Sequence, residues 1–213
     1  KTIEKYMGRI NAYKINETSI NARRHYAQIL AKYYDDFPRS INIYQDILYD
    51  ARILKSDSLL VEIHLELSRL YDDNFQSEQA SRMALDVIDI AKNSKNDSLL
   101  LETYSDIFFF DLLNFRSESY INNATEYYNL SNQQKTDMNA LAAIGSIVRY
   151  YGYNDKPDSS LKYVSKGINK KDVVTVDEYI YFLDRCVDLV RNDETGSISG
   201  AMVDCFMENC SPE

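Results

Sequence analysis

The chain has 213 residues, a formal net charge of −9, six glycines and three prolines. The negative charge disfavours nucleic acid and anionic membrane surfaces as partners, because both attract clustered Lys and Arg side chains. The scarcity of Gly and Pro suits long helices joined by short turns and argues against an all-β chain. No window approaches the roughly 18 apolar residues of a membrane-spanning helix.

A 40-residue repeat is the strongest pattern in the chain. The string KSDSLL at residues 55–60 returns as KNDSLL at residues 95–100, and aspartates recur at the same step at positions 57, 97, 137 and 177. A period between roughly 20 and 50 residues predicts a solenoid whose units bury their apolar faces against one another. We therefore predict an all-α, right-handed α-solenoid in a single domain over residues 1–213. Its units lie at roughly 14–56, 57–96, 97–136, 137–176 and 177–213.

The first unit is expected to contain helices over residues 18–34 and 39–54, preceded by an amphipathic stretch over residues 2–13. Its turn sequence YDDFP, at residues 34–38, resembles YDDNF at residues 71–75. The offset between these strings is shorter than 40 residues. We therefore expect this unit to be less regular than the others.

The middle units repeat two helices each. Columns of apolar residues 40 apart predict one buried face on the first helix of each unit. On the second helix, mostly small residues share a column, which allows two helices to approach closely. Asp57, Asp97 and Asp137 stand where helix N-caps are expected. The column of mostly small residues on the second helix contains Ala80, Tyr120, Ser160 and Gly200.

The last unit begins at Asp177, with a turn over residues 192–197 and a short second helix over residues 200–207. Cys186 and His64 fall among apolar residues and are expected to be packed in the core. The three cysteines do not form a disulfide framework. A bridge between Cys205 and Cys210 is one alternative in an oxidising compartment.

Units two and four resemble the tetratricopeptide repeat (TPR), which places an apolar, a small and an aromatic residue in the first helix and small residues in the second. The resemblance is to the long 40-residue variant found in bacterial regulatory TPR proteins. Three departures stand out: Phe108 and Val148 replace the small residue, and Asp111 replaces the aromatic. We expect the helix pair of unit three to splay for this reason. The matching residues are Leu67, Ser68, Tyr71, Ala80, Ala84 and Ile88 in unit two, and Ile147, Tyr151, Ser160, Val164 and Ile168 in unit four.

In the TPR family the first helices line a concave groove that binds a protein or peptide. Within this implied groove, Phe109 and Leu112 would anchor an apolar side chain, and Arg69 and Arg149 would meet a carboxylate. The alternative is that the two apolar residues belong to the core and both arginines pair with nearby acids. The resemblance implies partner-binding roles for Glu62, Leu65, Arg69, Glu102, Phe109, Leu112 and Arg149.

The function implied is a protein- or peptide-binding TPR module, the interaction or sensor region of a larger bacterial regulatory protein. The alternative is a homo-oligomeric scaffold that dimerises through its C-terminal unit. No phosphate loop, metalloprotease motif or nucleophile elbow occurs, so we expect no enzyme, no cofactor and no metal. The Tyr- and Asn-rich composition resembles extracytoplasmic repeat regions of bacterial regulators. This favours a periplasmic or extracytoplasmic location, with the cytoplasm as the alternative.

Overall fold

A computed structural model describes residues 15–170, 173–191 and 200, and these residues contain no β-strand. The predicted amphipathic stretch at residues 2–13, Cys205 and Cys210 lie outside the described residues. The described helices are α1 (Glu17–Tyr34), α2 (Phe37–Leu54), α3 (Asp57–Asp73), α4 (Ser77–Asn93), α5 (Asp97–Phe109), α6 (Glu118–Gln133), α7 (Asp137–Tyr153), α8 (Pro157–Ile168) and α9 (Val176–Arg191).

The positions at which the helices start show that each 40-residue unit consists of two 20-residue steps, one for each helix. From Glu17 onward, each described helix begins 20 residues after the previous one, to within one residue. The first repeat, at residues 14–56, has the same 20-residue spacing between its helix starts, so the expectation that it is irregular was wrong. The similar strings that suggested a shorter offset are not equivalent, because YDDF at residue 34 spans a turn whereas YDD at residue 71 ends α3.

Most helix ends are also spaced 20 residues apart. Seven residues that are not glycine have a left-handed backbone, with φ between 52° and 58°, and each follows the end of a helix. At most of these ends the next amide donates to a carbonyl five residues back, as Gln76 does to Tyr71 at 2.8 Å, which closes the helix in the Schellman manner. The seven are Asp35, Lys55, Phe75, Lys95, Asp111, Lys135 and Asp155.

One member of that series is displaced. The 20-residue spacing predicts a left-handed residue at position 115, yet it occurs at Asp111, four residues early. Helix α5 is accordingly 13 residues long, whereas α3 and α7 have 17. The amide of Leu112 donates to the carbonyl of Ile107 at 3.1 Å, so the early end is closed by the same type of bond. Unit three has therefore lost about one helical turn.

The N-caps lie one residue before the predicted ones. Ser56 and Asn96 accept hydrogen bonds from the amides of Leu59 and Leu99. Asp57, Asp97 and Asp137 are the first residues of their helices, where a carboxylate favours the positive end of the helix dipole. Their prediction as N-caps was therefore wrong: an N-cap side chain has to lie just before the first helical residue, which is where Ser56, Asn96 and Thr136 stand.

The chain divides into two compact units, Lys1–Thr103 and Tyr104–Glu213, and the division falls within α5. The core of the first unit contains Ile20, Ile47 and Leu67 from three helices. The core of the second contains Leu141 and Phe182, and Phe182 lies so close to Gly167 that a Cβ there would overlap its ring. The expected single domain over residues 1–213 stays a prediction.

Small residues hold the helix pairs together, as the column predicted. The hydroxyl of Ser40 donates to the carbonyl of Ala27 at 2.9 Å, and Ser68 donates to Ala80 at 2.7 Å. Unit three replaces this contact with aromatic rings: Phe108 packs edge-to-face on Tyr120 with centroids 5.1 Å apart. Ring packing thus takes the place of a hydroxyl–carbonyl bond at that level of the repeat.

His64 and Cys186 are buried, as predicted. The Nδ1 atom of His64 lies 2.7 Å from the carbonyl oxygen of Leu60, within its own helix. Burial is the main cause of a pKa for His64 below its ordinary value. These contacts account for His64 as a packed residue.

Phe75 offers a test of the helix-end geometry. It has a φ of 58° and a side chain that is 96% exposed, so Phe contributes little packing at a position that favours glycine. We expect Phe75→Gly to raise the free energy of unfolding by about 0.5 to 1 kcal/mol, since the left-handed strain on a side chain is removed. Urea denaturation measures this change. Arg82→Gly, in the middle of α4, should instead destabilise by about 1 kcal/mol; equal effects of the two substitutions would contradict the explanation.

Candidate protein-binding surfaces

In the compact unit Lys1–Thr103, helices α1, α2 and α3 meet at a polar network around Glu66. The guanidinium of Arg24 donates to both carboxylate oxygens of Glu66, at 2.8 and 2.9 Å, and to Glu62 at 2.9 Å. The hydroxyl of Tyr44 also donates to Glu66 at 2.9 Å. Glu62, a predicted groove residue, is therefore already paired with Arg24 at its exposed carboxylate.

The network shifts two pKa values in the same direction. The hydrogen bond to Glu66 is the main cause of a raised pKa for Arg24, which keeps this guanidinium charged. Burial, followed by the charge of Glu66, raises the pKa of Tyr44. Both groups therefore stay protonated, and their hydrogen bonds to Glu66 link α1 and α2 to α3.

A cleft of about 600 Å³ lies beside this network. The predicted groove residue Arg69 lines it, together with Lys32, Asp35 and Asp73, while Phe37 and Leu70 contribute apolar surface. Leu65 is buried and packs inside the protein. Glu102, on α5, is exposed. The cleft is thus a mixed surface in which two cations and several carboxylates are interleaved.

In the second unit, the early end of α5 carries an ion-pair cluster. The carboxylate of Asp111 contacts the guanidinium of Arg149, from α7, and that of Arg185, from α9, the latter at 2.7 Å. The side chains of Arg149 and Arg185 are only 14% and 12% exposed, and that of Asp111 is 34% exposed. The residue that breaks the repeat thus joins two later helices to the end of α5.

Both arginines make further contacts that fix them in place. The guanidinium of Arg149 lies over the ring of Phe115, with its central carbon 4.7 Å from the centroid. Arg185 donates to the hydroxyl of Tyr181 at 2.5 Å and to the carbonyl of Phe108 at 3.4 Å. A cation at that carbonyl also favours the negative end of α5. Although burial lowers it, the hydrogen bond and charge of Asp111 raise the pKa of Arg185.

An aromatic patch lies next to this cluster. Phe109 is 58% exposed, and its ring stacks on Tyr181 at a centroid distance of 5.7 Å. Phe110, also exposed, packs edge-to-face on Phe109 at 4.9 Å. We name Phe109, Phe110 and Tyr181 the aromatic patch. Leu112, predicted to share this surface, is buried instead.

The structure separates the predicted groove residues into three kinds. Phe109 and Glu102 are exposed, Leu65 and Leu112 are buried, and Arg149 pairs with an acid, as the alternative interpretation had it. The sequence analysis did not identify Tyr181 and Arg185 as site residues. A signal was present, because Arg185 lies three 40-residue steps after the predicted groove residue Leu65. Gly145, on α7, lies against this side chain: a Cβ there would lie 3.5 Å from Cγ of Arg185, an ordinary contact distance.

Two chemical possibilities find no support in the part of the chain that the structure describes. No group of three or more His, Cys, Asp or Glu side chains could hold a metal ion there. No described helix is long and apolar enough to span a membrane.

These helix pairs define a TPR-like repeat fold, and the expected all-α repeat solenoid is confirmed. Two solved structures from Podosopora anserina are similar to this chain. Both show nearly identical TPR-like repeats of a protein described as a kinesin light chain, one of them as a variant. The variant has a TM-score of 0.65 and 10% identity, covering 90% of this chain and 96% of its own. The other has a TM-score of 0.58 and 11% identity, covering 87% and 92%.

No protein-family model matches the sequence, and the comparison with curated proteins found no match. The likeness to the two solved structures therefore concerns the fold. A TPR-like repeat fold generally mediates protein–protein interaction and is typically non-catalytic.

Proposed function

We propose that the chain is a protein-binding module whose second unit contacts its partner through the aromatic patch. The observation that carries this proposal is the exposure of Phe109, which is stacked on Tyr181 beside two fixed arginines. Aromatic and Arg side chains dominate the binding energy of protein interfaces. Scattered exposed apolar residues are ordinary, but three adjoining aromatic rings are a contiguous surface.

Local geometry explains how this surface arises. Because α5 ends four residues early, Phe109 is its last residue and Phe110 lies in the turn. Phe108, one residue earlier, is fully packed against Tyr120 and Tyr127. The shortened helix therefore divides three consecutive phenylalanines between core and surface, and Asp111 fixes the turn that exposes two of them.

Phe109→Ala tests the patch. We expect it to reduce capture of partner proteins by the immobilised chain at least about tenfold, because an anchor of this kind contributes upwards of 1.4 kcal/mol. Quantitative capture from lysate measures the loss for each captured protein. Tyr49→Ala is the matched control, since Tyr49 is an aromatic residue on α2 that is 67% exposed and outside the patch.

Circular dichroism should show unchanged helix content in both variants. If Phe109→Ala captures the same proteins at the wild-type level, the patch is not the binding surface. If Tyr49→Ala loses as much as Phe109→Ala, the effect is not specific to the patch.

A homo-oligomeric scaffold is the second candidate, favoured by the outer face of α9. Val176, Ile180 and Val187 recur on one side of that helix and are all exposed. In α7, the residues 40 positions before Ile180 and Val187 are Ala140 and Ile147, and both are buried. A second copy of the chain would cover this face. Light scattering that finds a monomer at micromolar concentration would contradict this candidate.

The narrower proposal is that the module is the interaction or sensor region of a larger bacterial regulatory protein. Its support is the 40-residue unit, which resembles the long repeats of such proteins. A DNA-binding or kinase segment elsewhere in the full-length protein would favour it, and a full-length protein of another class would contradict it.

A further inference from the structure

We infer that the aromatic patch selects partner segments in which basic side chains flank a large apolar one. This inference rests on the proposed function of the patch and adds the chemistry of the partner. It follows from the carboxylates that surround the three rings and from the attraction between aromatic ring faces and cations.

Carboxylates outnumber cations around the patch. Within four residues of a patch residue along the chain, Arg185 is the single basic residue. Its guanidinium and that of Arg149 both contact Asp111, and Arg116 lies over the ring of Phe115. The acidic residues in the same stretches of chain are Asp106, Asp111, Asp177, Glu178 and Asp184. Even when all three arginines are counted, the charge at this place is therefore negative.

The carboxylates of α9 face the solvent, whereas the arginines face inward. The side chains of Arg149 and Arg185 are only 14% and 12% exposed. Asp177 and Asp184 are exposed, and they lie one helical turn before and one turn after Tyr181. Neither of these two carboxylates forms an ion pair with another described residue. A partner that packs on Tyr181 would therefore meet two carboxylates before it meets a guanidinium.

The net charge acts in the same direction. Residues 104–213, the second compact unit, contain 17 Asp and Glu but only 10 Lys and Arg, and so carry the larger share of the chain's net charge of −9. Such a field raises the rate at which cationic partners reach the surface and lowers it for anionic ones. The local carboxylates and the overall charge thus favour the same sign of partner.

The rings of the patch add a second attraction for cations. Guanidinium groups already pack on rings in this unit: that of Arg149 lies 4.7 Å from the centroid of Phe115, and that of Arg185 lies 4.9 Å from the centroid of Tyr181. Phe109, which is 58% exposed, offers the same kind of surface to a partner. An arginine of the partner could lay its apolar stem on this ring and direct its guanidinium to a carboxylate.

Three synthetic peptides with a fluorescein label distinguish the chemistries. The first has two phenylalanines one helical turn apart, flanked by arginines; the second has glutamate at every arginine position; the third keeps the arginines and has serine at both phenylalanine positions. We expect the first peptide to bind the wild-type chain at least about tenfold more tightly than either of the others in fluorescence anisotropy at low salt. Its advantage over the glutamate peptide should shrink at about 0.5 M salt, because salt screens exposed charges.

Variants separate the local effect from that of the net charge. Asp184→Lys reverses a charge one turn from Tyr181 and should weaken binding of the arginine peptide about fivefold at low salt. Asp89→Lys, at an exposed position of α4, makes the same change in net charge away from the patch and should leave the affinity within about twofold of the wild-type value. Lysine favours helix more than aspartate does, so both variants should keep their helix content, which circular dichroism measures.

Equal or tighter binding of the glutamate peptide, or no binding of the arginine peptide at millimolar concentration, would overturn the inference. Equal binding of the serine peptide would do so too, because no apolar anchor would then be needed. Equal losses in Asp184→Lys and Asp89→Lys would assign the attraction to the net charge instead of the patch.

The proposed function fails separately, if Phe109→Ala leaves partner capture unchanged. A Phe109-dependent partner that binds without charge preference would refute the basic selection and leave the binding module intact.

Discussion

Replacing Phe108 by alanine should reduce the free energy of unfolding by about 3 to 5 kcal/mol, the cost of emptying a large site in a packed core. Phe108 is 2% exposed and its ring contacts three others. The centroid distances are 5.1 Å to Tyr120, 5.7 Å to Tyr127 and 6.2 Å to Tyr104. No small side chain can fill this space, because the neighbouring rings belong to helices that are fixed elsewhere.

Phe109→Ala is the internal control for this prediction. The two residues are adjacent and chemically identical, but Phe109 is 58% exposed, so its replacement should cost about 1 kcal/mol or less. Urea denaturation followed by circular dichroism measures both changes. A cost for Phe108→Ala within 1 kcal/mol of that for Phe109→Ala would show that the ring cluster is not a rigid core.

A pH titration gives a second readout of the same cluster. Burial raises the pKa of Tyr120 to about 12 from an ordinary value of 10. Because the folded-state pKa is the higher one, this tyrosine's contribution to stability is complete below pH 10 and is lost as the pH rises toward 12. In Phe108→Ala, water can reach the Tyr120 hydroxyl, and its pKa should move back toward 10 in a spectrophotometric titration.

Asp111→Ala should reduce the free energy of unfolding by about 2 to 3 kcal/mol. The substitution leaves the guanidinium groups of Arg149 and Arg185 close together without their shared anion. Breaking a buried ion pair by removing one partner costs about 3 to 5 kcal/mol, and the value expected here is lower because Asp111 is 34% exposed. Thermal and urea denaturation measure the change.

The pair of Glu78 and Arg82 provides the matched control. These residues lie one turn apart on α4 and are mostly exposed, so Glu78→Ala should cost only about 0.3 kcal/mol. The double variant Asp111→Ala with Arg185→Leu should recover part of the loss, since one uncompensated charge is removed. If Asp111→Ala costs no more than Glu78→Ala, the cluster does not hold α7 and α9 at the end of α5.

The repeat made most of the fold predictable. The 40-residue step placed the helix pairs, and the small-residue column includes Ala80, whose carbonyl accepts a hydrogen bond from Ser68 across one pair. The step also showed that Asp111 was out of place. The sequence analysis was wrong where it relied on a local string instead of the period. Matching YDDF to YDDN misaligned the first repeat, although α1 and α2 start at the regular 20-residue spacing. Local strings report turn composition, whereas the period reports the packing that every unit has to satisfy.

The candidate site was less predictable, because exposure depends on where a helix ends. Phe108, Phe109 and Phe110 are consecutive, and periodicity places them on different faces without deciding which face is covered. The contacts that decide it come from residues more than 70 positions away: Arg185 and Tyr181 reach the carbonyl of Phe108. Leu112 was expected on the surface and is buried, because the turn redirects it into the protein.

The sequence by itself determined the class of fold, since a repeated amphipathic pattern of fixed length can bury its apolar faces only against its own neighbours. The break at Asp111 was also visible there as a departure from the repeat. Only the tertiary structure decided what the break does. It ends α5 one turn early, gives one carboxylate two arginine partners and leaves Phe109 exposed beside them. The physical reason is that ion pairs and ring stacking depend on distances between helices far apart in the chain, which a pattern along the chain does not record.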